Sequence, residues 1–274
     1  MNSSTVKRSV AALQMISGLD VIPNLQTAGR LIAEAADAGA ELLTLPEYFP
    51  LIGASDADRL AARESDGGGP IQDFLAGAAQ QHGIWLVGGS LPLQANDANK
   101  LRNSCLIFNP QGERVGRYDK IHLFGFRKGT EAYDESLTIE AGNTPLVVEI
   151  AGLRVGIGIC YDLRFPELFR LMGSESPIDL LVLPAAFTDT TGRAHWELLL
   201  RARAVENQCY VLAAAQGGQH PNGRVTHGNS MVIDPWGDVI ARMDKGEGVV
   251  AAELDLQRLV EIRTSLPALR HRIF

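Results

Sequence analysis

The sequence predicts an α/β fold of α-β-β-α sandwich type, two pseudo-repeated halves each supplying a mixed sheet with helices on one face. Three observations point there. Strand-length apolar runs alternate with amphipathic stretches of helix length, the order of these elements repeats, and the repeat extends to short phrases of sequence.

Residues 10–15 are a strand-length apolar run, residues 24–38 space their apolar positions along one helix face, and residues 41–45 read as a buried strand. A second helical pattern over 71–82 leads into a strand at 84–88. Two further strands flank the turn Asn109-Pro110-Gln111-Gly112. The second half keeps this order, with strands at 154–160 and 179–183, a helix at 194–207 and a strand at 210–215. Glu41-Leu42-Leu43-Thr44-Leu45-Pro46 is echoed 138 residues later by Asp179-Leu180-Leu181-Val182-Leu183-Pro184. Asn109-Pro110-Gln111-Gly112 is echoed 125 residues later by Asp234-Pro235-Trp236-Gly237. Two β-α-β-α-β-β units that bury their apolar sheet faces against each other make a four-layer sandwich, so residues 1–274 are expected to form a single domain.

The glycine-rich stretch at 66–69 lacks the spacing of a phosphate-cradling loop and reads as a connector. Residues 254–274 mix a short helical pattern with Arg270, His271 and Arg272. They are expected either to dock on a partner subunit or to end in solvent.

With 46% apolar residues the chain can bury a large core. A net charge of -7 and scattered basic residues argue against a nucleic-acid partner. No apolar run approaches the roughly 20 residues needed to span a bilayer, and the first ten residues lack a signal-peptide core. A cytoplasmic protein without a membrane partner is therefore expected. Cys105, Cys160 and Cys209 lie far apart with no CxxC pair, which suggests neither disulfides nor a zinc site and fits a reducing compartment.

The chemistry converges on three side chains. Cys160 ends the strand-like run Gly156-Ile157-Gly158-Ile159, and Pro166-Glu167 shortly after reads as a helix start. A thiol on such a turn stands at the sheet's end, with the following N–H groups aimed toward it, as an activated nucleophile and oxyanion hole require. Glu47 follows Leu45-Pro46 at the corresponding edge of the first half, while the matching position of the second half is Ala185. A carboxylate present in only one copy of a repeat is not required to fold that repeat. Lys120, between Tyr118-Asp119 and Ile121-His122, is an ammonium among partly apolar neighbours. Buried near a thiolate and Glu47, it would offset their repulsion and donate to an oxyanion.

These residues resemble the nitrilase superfamily of carbon-nitrogen hydrolases, whose members carry Glu, Lys and Cys in this order. The phrases that carry the resemblance are Leu45-Pro46-Glu47, Tyr118-Asp119-Lys120-Ile121-His122-Leu123, Cys160-Tyr161-Asp162-Leu163-Arg164-Phe165-Pro166-Glu167, Ala194-His195-Trp196-Glu197 and Arg201-Ala202-Arg203-Ala204-Val205-Glu206-Asn207. Together they span essentially the whole chain. The resemblance implies a second functional glutamate after the lysine, placed at Glu135 with Glu131 as the competitor. It also implies a reaction needing no metal or organic cofactor: Glu47 takes the Cys160 proton, Lys120 and the Tyr161 N–H hold the oxyanion, and a thioester is hydrolysed to acid, with ammonia as the other product.

Within the superfamily, the segments around Arg164, Ala185-Ala186-Phe187, Thr190-Thr191-Gly192 and Ala213-Ala214-Ala215-Gln216 resemble the branch containing deaminated-glutathione amidase, with ω-amidase as its sister. The substrate implied is a small carboxylated amide. Arg164 is then either a carboxylate anchor or an ion-pair partner, Phe187 and Thr191 border the pocket, and His195 and Trp196 pack at the interface of a homodimer or higher homo-oligomer.

Three other readings compete. A glutamine-amidotransferase or α/β-hydrolase type of enzyme would want a G-x-C-x-G elbow, whereas Gly158-Ile159-Cys160-Tyr161-Asp162 ends in Asp. It would also need His195, His220 or His227 as partner. A metal hydrolase would want a ligand spacing such as H-E-x-x-H. A non-catalytic binder of small carboxylates would have no use for the three-residue set.

Overall fold

The computed structural model describes residues 7–129 and 131–273. The first half runs β1 (Lys7–Gln14), α1 (Val21–Asp37), β2 (Leu42–Thr44), α2 (Asp56–Ala61), α3 (Pro70–His82), β3 (Trp85–Val87), β4 (Leu91–Gln94), β5 (Leu101–Phe108) and β6 (Arg114–Asp119). A hairpin of β7 (Gly125–Lys128) and β8 (Glu131–Asp134) joins it to the second half. That half runs β9 (Leu146–Ile150), β10 (Leu153–Ile157), α4 (Pro166–Met172), β11 (Leu180–Ala185), α5 (Asp189–Asn207), β12 (Tyr210–Ala215), β13 (Met231–Ile233) and β14 (Val239–Arg242). β15 (Gly248–Asp255) and α6 (Leu256–Ser265) follow.

Both sheets are mixed and share one plan. In the first, β1, β2 and β3 are parallel neighbours and β5 and β6 continue antiparallel; in the second, β10, β11 and β12 are the parallel trio and β13 and β14 continue antiparallel. Strand alternation explains the layers. Val10 and Ala12 join the core shared with the second sheet, while Ala11 and Leu13 pack with Ala28, Leu31 and Ile32 of α1 and Leu75 of α3. The α-β-β-α sandwich is therefore the architecture of the chain.

The outer edge of each parallel trio is closed differently. β9 pairs antiparallel with β10 as its neighbour in sequence, but β1 is covered by β15, which returns from the far end of the chain over eight residues from Lys7–Asp255 to Gln14–Gly248. The sequence reading missed β15, because its half-buried pattern carries no marker for a partner 240 residues away. It also left residues 254–274 to a partner subunit or to solvent. Within that stretch α6 docks on its own second half: Leu259 and Ile262 are buried, and Arg263 donates to Asp179 and to the Ile178 carbonyl.

Two further boundaries differ. The strand expected to reach Cys160 stops at Ile157, and α5 begins at Asp189, where Thr188 caps it by accepting from the Thr191 N–H. The connector at 66–69 has a structural task. Gly69, at φ 144°, lets the buried Glu64 carboxylate reach the first turn of α3, where it accepts from the Ile71 N–H at 2.6 Å and the Gln72 N–H at 3.2 Å. Any Cβ at Gly69 would stand 2.4 Å from that carboxylate. No helix among the described residues is long and apolar enough to cross a membrane.

Candidate active site

The site is built from loops that leave one strand of each parallel trio, β2 and β10, together with the ends of β6 and β8. Glu47 lies three residues beyond β2, Lys120 directly follows β6, Glu135 opens a 3-10 turn after β8, and Cys160 opens another after β10. The Lys120 N–H still pairs with the Asn103 carbonyl of β5 at 2.9 Å, so the sheet itself fixes the lysine. Cys160 has φ 49°, a left-handed conformation that an L-residue adopts only when its surroundings impose it. This kink converts the strand into a turn and stands the thiol at the floor of a cleft lined also by Glu47, Phe124, Glu135, Tyr161 and Arg164.

Lys120 is enclosed by two carboxylates. Its Nζ donates to Glu47 Oε1 at 2.8 Å and to Glu135 Oε2 and Oε1 at 2.8 and 3.0 Å, and its side chain has no exposure. Burial opposes the ammonium, yet Glu135 and Glu47 outweigh it and hold Lys120 well above the ordinary lysine range. Burial likewise favours a neutral Glu135, but Lys120, the Phe124 N–H at 2.7 Å and the Tyr48 hydroxyl at 2.8 Å keep its carboxylate below the ordinary value. The remaining Glu47 contacts come from Asn103 Nδ2 at 3.0 Å and the Ala186 N–H at 2.9 Å, the latter reaching across from the second half. Cys160 differs from these charged neighbours: burial first, then the Glu47 charge, push its thiol well above the ordinary range despite Lys120. The resting sulfur is therefore a thiol beside a carboxylate, an arrangement suited to attack coupled to proton transfer.

The model of the carbon-nitrogen hydrolase family matches residues 9–264. The chain belongs to that family. This carbon-nitrogen hydrolase is 40% identical to a deaminated glutathione amidase of Synechocystis over 96% of the chain and 97% of that protein. It is also 40% identical to the omega-amidase NIT2 of Xenopus tropicalis over 91% of the chain and 89% of that protein. The crystal structure of Saccharomyces cerevisiae Nit3, a member of the nitrilase superfamily, superposes with a TM-score of 0.87 at 32% identity, covering 98% of this chain and 97% of that one. The protein is thus an amidase, a hydrolase of carbon–nitrogen bonds other than peptide bonds, within the superfamily its motifs resemble.

Other expected residues of the hydrolase fall into place unevenly. Glu135 reaches Lys120, while Glu131 accepts from the Thr190 hydroxyl at 2.9 Å and lines no part of the cleft. Arg164 borders the cleft. Among the described residues it pairs with no carboxylate; its guanidinium lies 3.2 Å from His195 Nδ1 and over the rings of Tyr161 and Phe187. Phe187 and Thr191 also line the cleft, but the Thr191 hydroxyl is 3.0 Å from that of Thr188, within the cap of α5. Trp196 corrects an expectation: it is wholly buried, donates to the Asn229 carbonyl at 2.8 Å and packs on Phe187, so it shapes the cleft wall from inside and faces no other subunit.

Several participants were missed. Tyr48 and Asn103 carry no motif signal of their own, since a hydroxyl or amide becomes informative only once its partner is known. Arg224 lines the cleft from a loop 33 residues beyond Thr191, the nearest cleft residue read from sequence. Asp162 was legible as part of a phrase but not as a task. Wholly buried, it accepts from the Tyr118 hydroxyl at 2.7 Å, the Ile159 N–H at 2.9 Å and the His122 N–H at 3.0 Å, with His122 Nδ1 at 2.7 Å.

Proposed function

We propose that this amidase hydrolyses a small carboxylated amide through a Cys160 thioester, with deaminated glutathione as its substrate. The observation that carries this reading is the burial of Glu47 and Lys120, the lysine also held by Glu135, beside a thiol held at positive φ. Glu47 removes the thiol proton as sulfur attacks the amide carbonyl. Lys120 and the Tyr161 N–H stabilise the oxyanion. The same proton passes from Glu47 to the nitrogen, the C–N bond breaks, and the amine leaves. Water then adds to the thioester while Glu47 takes its proton, and collapse releases the acid and returns the thiol. Glu135 keeps Lys120 charged and in place.

The leaving group depends on the amide. A primary amide releases ammonia, whereas deaminated glutathione, whose amide nitrogen belongs to a peptide remainder, releases that remainder as an amine. The 40% identity to a deaminated glutathione amidase over nearly both whole chains supports this substrate. Similar identity to an omega-amidase supports α-ketoglutaramate as the second reading. Arg164, a cation at the cleft with no carboxylate of its own among the described residues, suits the keto-acid end common to both. Phe187 and Thr191 complete the wall.

Three free, buried cysteines suit a reducing, cytoplasmic setting. Exposed Leu198 and Val205 on α5, with Trp236 nearby, suit a homodimer. The test measures acid release from both amides. Turnover by the wild type, its loss in Cys160→Ala with unchanged circular dichroism, and an acyl-enzyme mass on Cys160 after rapid quenching are expected. Ligand-induced stabilisation with no product from either amide would leave a non-catalytic binder instead.

A further inference from the structure

We propose that Arg224 is a specificity-determining residue that binds a second carboxylate, on the leaving-group side of the scissile amide. This rests on the amidase reading above and extends it: the site takes a substrate with a carboxylate at each end.

Arg224 lines the same cleft as Cys160 and Arg164 but on the wall formed by the 217–228 loop. Its Nη2 donates to the Ala186 carbonyl at 2.9 Å, its guanidinium lies 5.3 Å from the centre of the Tyr133 ring, and its Nε is buried with no hydrogen-bond partner. Among the described residues no carboxylate pairs with it. A buried, unsatisfied guanidinium N–H beside a substrate cleft is an incomplete fork, and a carboxylate is the group that completes one. The loop is fixed in advance. Asn222 donates to the Gly53 carbonyl and accepts from the Arg224 N–H, and the Asp189 and His227 N–H groups pair with Val225 and Phe187 on either side. A cation held this rigidly loses little entropy on binding an anion.

The side of the scissile bond follows from Ala186. Its N–H holds Glu47 at 2.9 Å and its carbonyl holds Arg224, so the carboxylate that hands a proton to the departing nitrogen and the unpaired guanidinium flank one residue. The amine leaves toward Glu47 and hence toward Arg224. Arg164 instead belongs to the Cys160 turn, where the acyl group stays attached. Beyond Arg224 a second hollow of about 390 Å³, lined by Tyr48, Tyr133 and Arg59 as well as by Asp56, Asp134 and Glu135, adjoins the cleft and offers room for a peptide-sized leaving group, with Arg224 and Arg59 as its cations.

Deaminated glutathione and α-ketoglutaramate share their acyl half, and only the first carries a carboxylate on the leaving side. The test compares kcat/KM for the two in wild type, Arg224→Ala, Arg224→Lys and Arg164→Ala. In Arg224→Ala the ratio of deaminated glutathione to α-ketoglutaramate falls roughly 10- to 100-fold, chiefly through KM. Arg224→Lys recovers part of it, and Arg164→Ala lowers both substrates together. A ratio in Arg224→Ala within about twofold of wild type, whether both activities fall or neither does, overturns the proposal. Wild-type protein that hydrolyses neither amide overturns the proposed function itself.

Discussion

The Tyr118 hydroxyl donates to Asp162 Oδ2 across 2.7 Å, joining the strand that runs into Lys120 to the turn that begins at Cys160. His122 grips the other oxygen of Asp162 with its N–H, at 3.0 Å. The residues two before and two after Lys120 therefore clamp the residue two after Cys160, and this buried carboxylate sets the distance between lysine and thiol.

Asp162→Ala leaves the Tyr118 hydroxyl and the Ile159 and His122 N–H groups without their acceptor. A loss of about 3 kcal/mol or more in urea unfolding is expected, since each orphaned donor costs about 1–3 kcal/mol. Tyr118→Phe, which removes one donor, should lose about 1 kcal/mol. Equal effects of the two variants would refute the clamp.

Glu47→Gln preserves volume but cannot accept the thiol proton. A fall in kcat of roughly 10²- to 10⁴-fold is expected. Stopped assays of acid release check it. An unchanged rate would move the base elsewhere.

Iodoacetamide under native conditions should label Cys160 alone. Burial pushes the Cys209 thiol up to about 12 and Cys105 higher still, and neither is exposed, whereas Cys160 opens on the cleft. Its labelling should accelerate as pH rises from 7 to 9, because burial and the Glu47 charge keep it protonated at rest. Peptide mapping that finds Cys105 or Cys209 modified at a comparable rate would contradict this.

Lys120→Met strands two buried carboxylates, and a loss of about 3–5 kcal/mol is expected at pH 7. The pH dependence should also reverse. In the wild type Glu135 lies below its ordinary value of 4.5, so its contribution is present above that value and is lost as pH falls through the lower folded one. Lys120 lies above its ordinary value of 10.5, so its contribution is present below that value and is lost at more alkaline pH. Wild-type stability from this cluster is therefore flat between pH 5 and 9. Without Lys120, burial raises Glu135 above its unfolded value, and the variant should gain stability as pH is lowered from 7 to 5. Parallel thermal melts across that range decide the matter.

Cys160, Glu47 and Lys120 were readable as a set because each stands at a strand end and the repeat aligns those ends. The repeat also made the two-sheet plan legible, since alternation and element order are local properties of the chain. Glu135 over Glu131 was not decidable that way: both sit in one short stretch, and only the path of the β7–β8 hairpin turns the first toward Lys120 and the second toward Thr190. Trp196 reads as an interface residue because a large aromatic near a helix start looks the same whether that face meets the core or a partner; only the fold sets it against Phe187 and the Asn229 carbonyl.

What the sequence by itself determined was thus the family, the layered α/β plan and the candidate trio of Cys160, Glu47 and Lys120, all of which are written in periodicity and in compact phrases. Tertiary structure decided the rest. The pairing of β15 with β1, the choice of Glu135, the clamp of Tyr118 and His122 on Asp162, and the entry of Arg224 into the cleft each join residues separated by 11 to about 240 positions. Such partners share no local periodicity, and a buried hydrogen bond or ion pair is specified only when the folded chain removes both groups from water together.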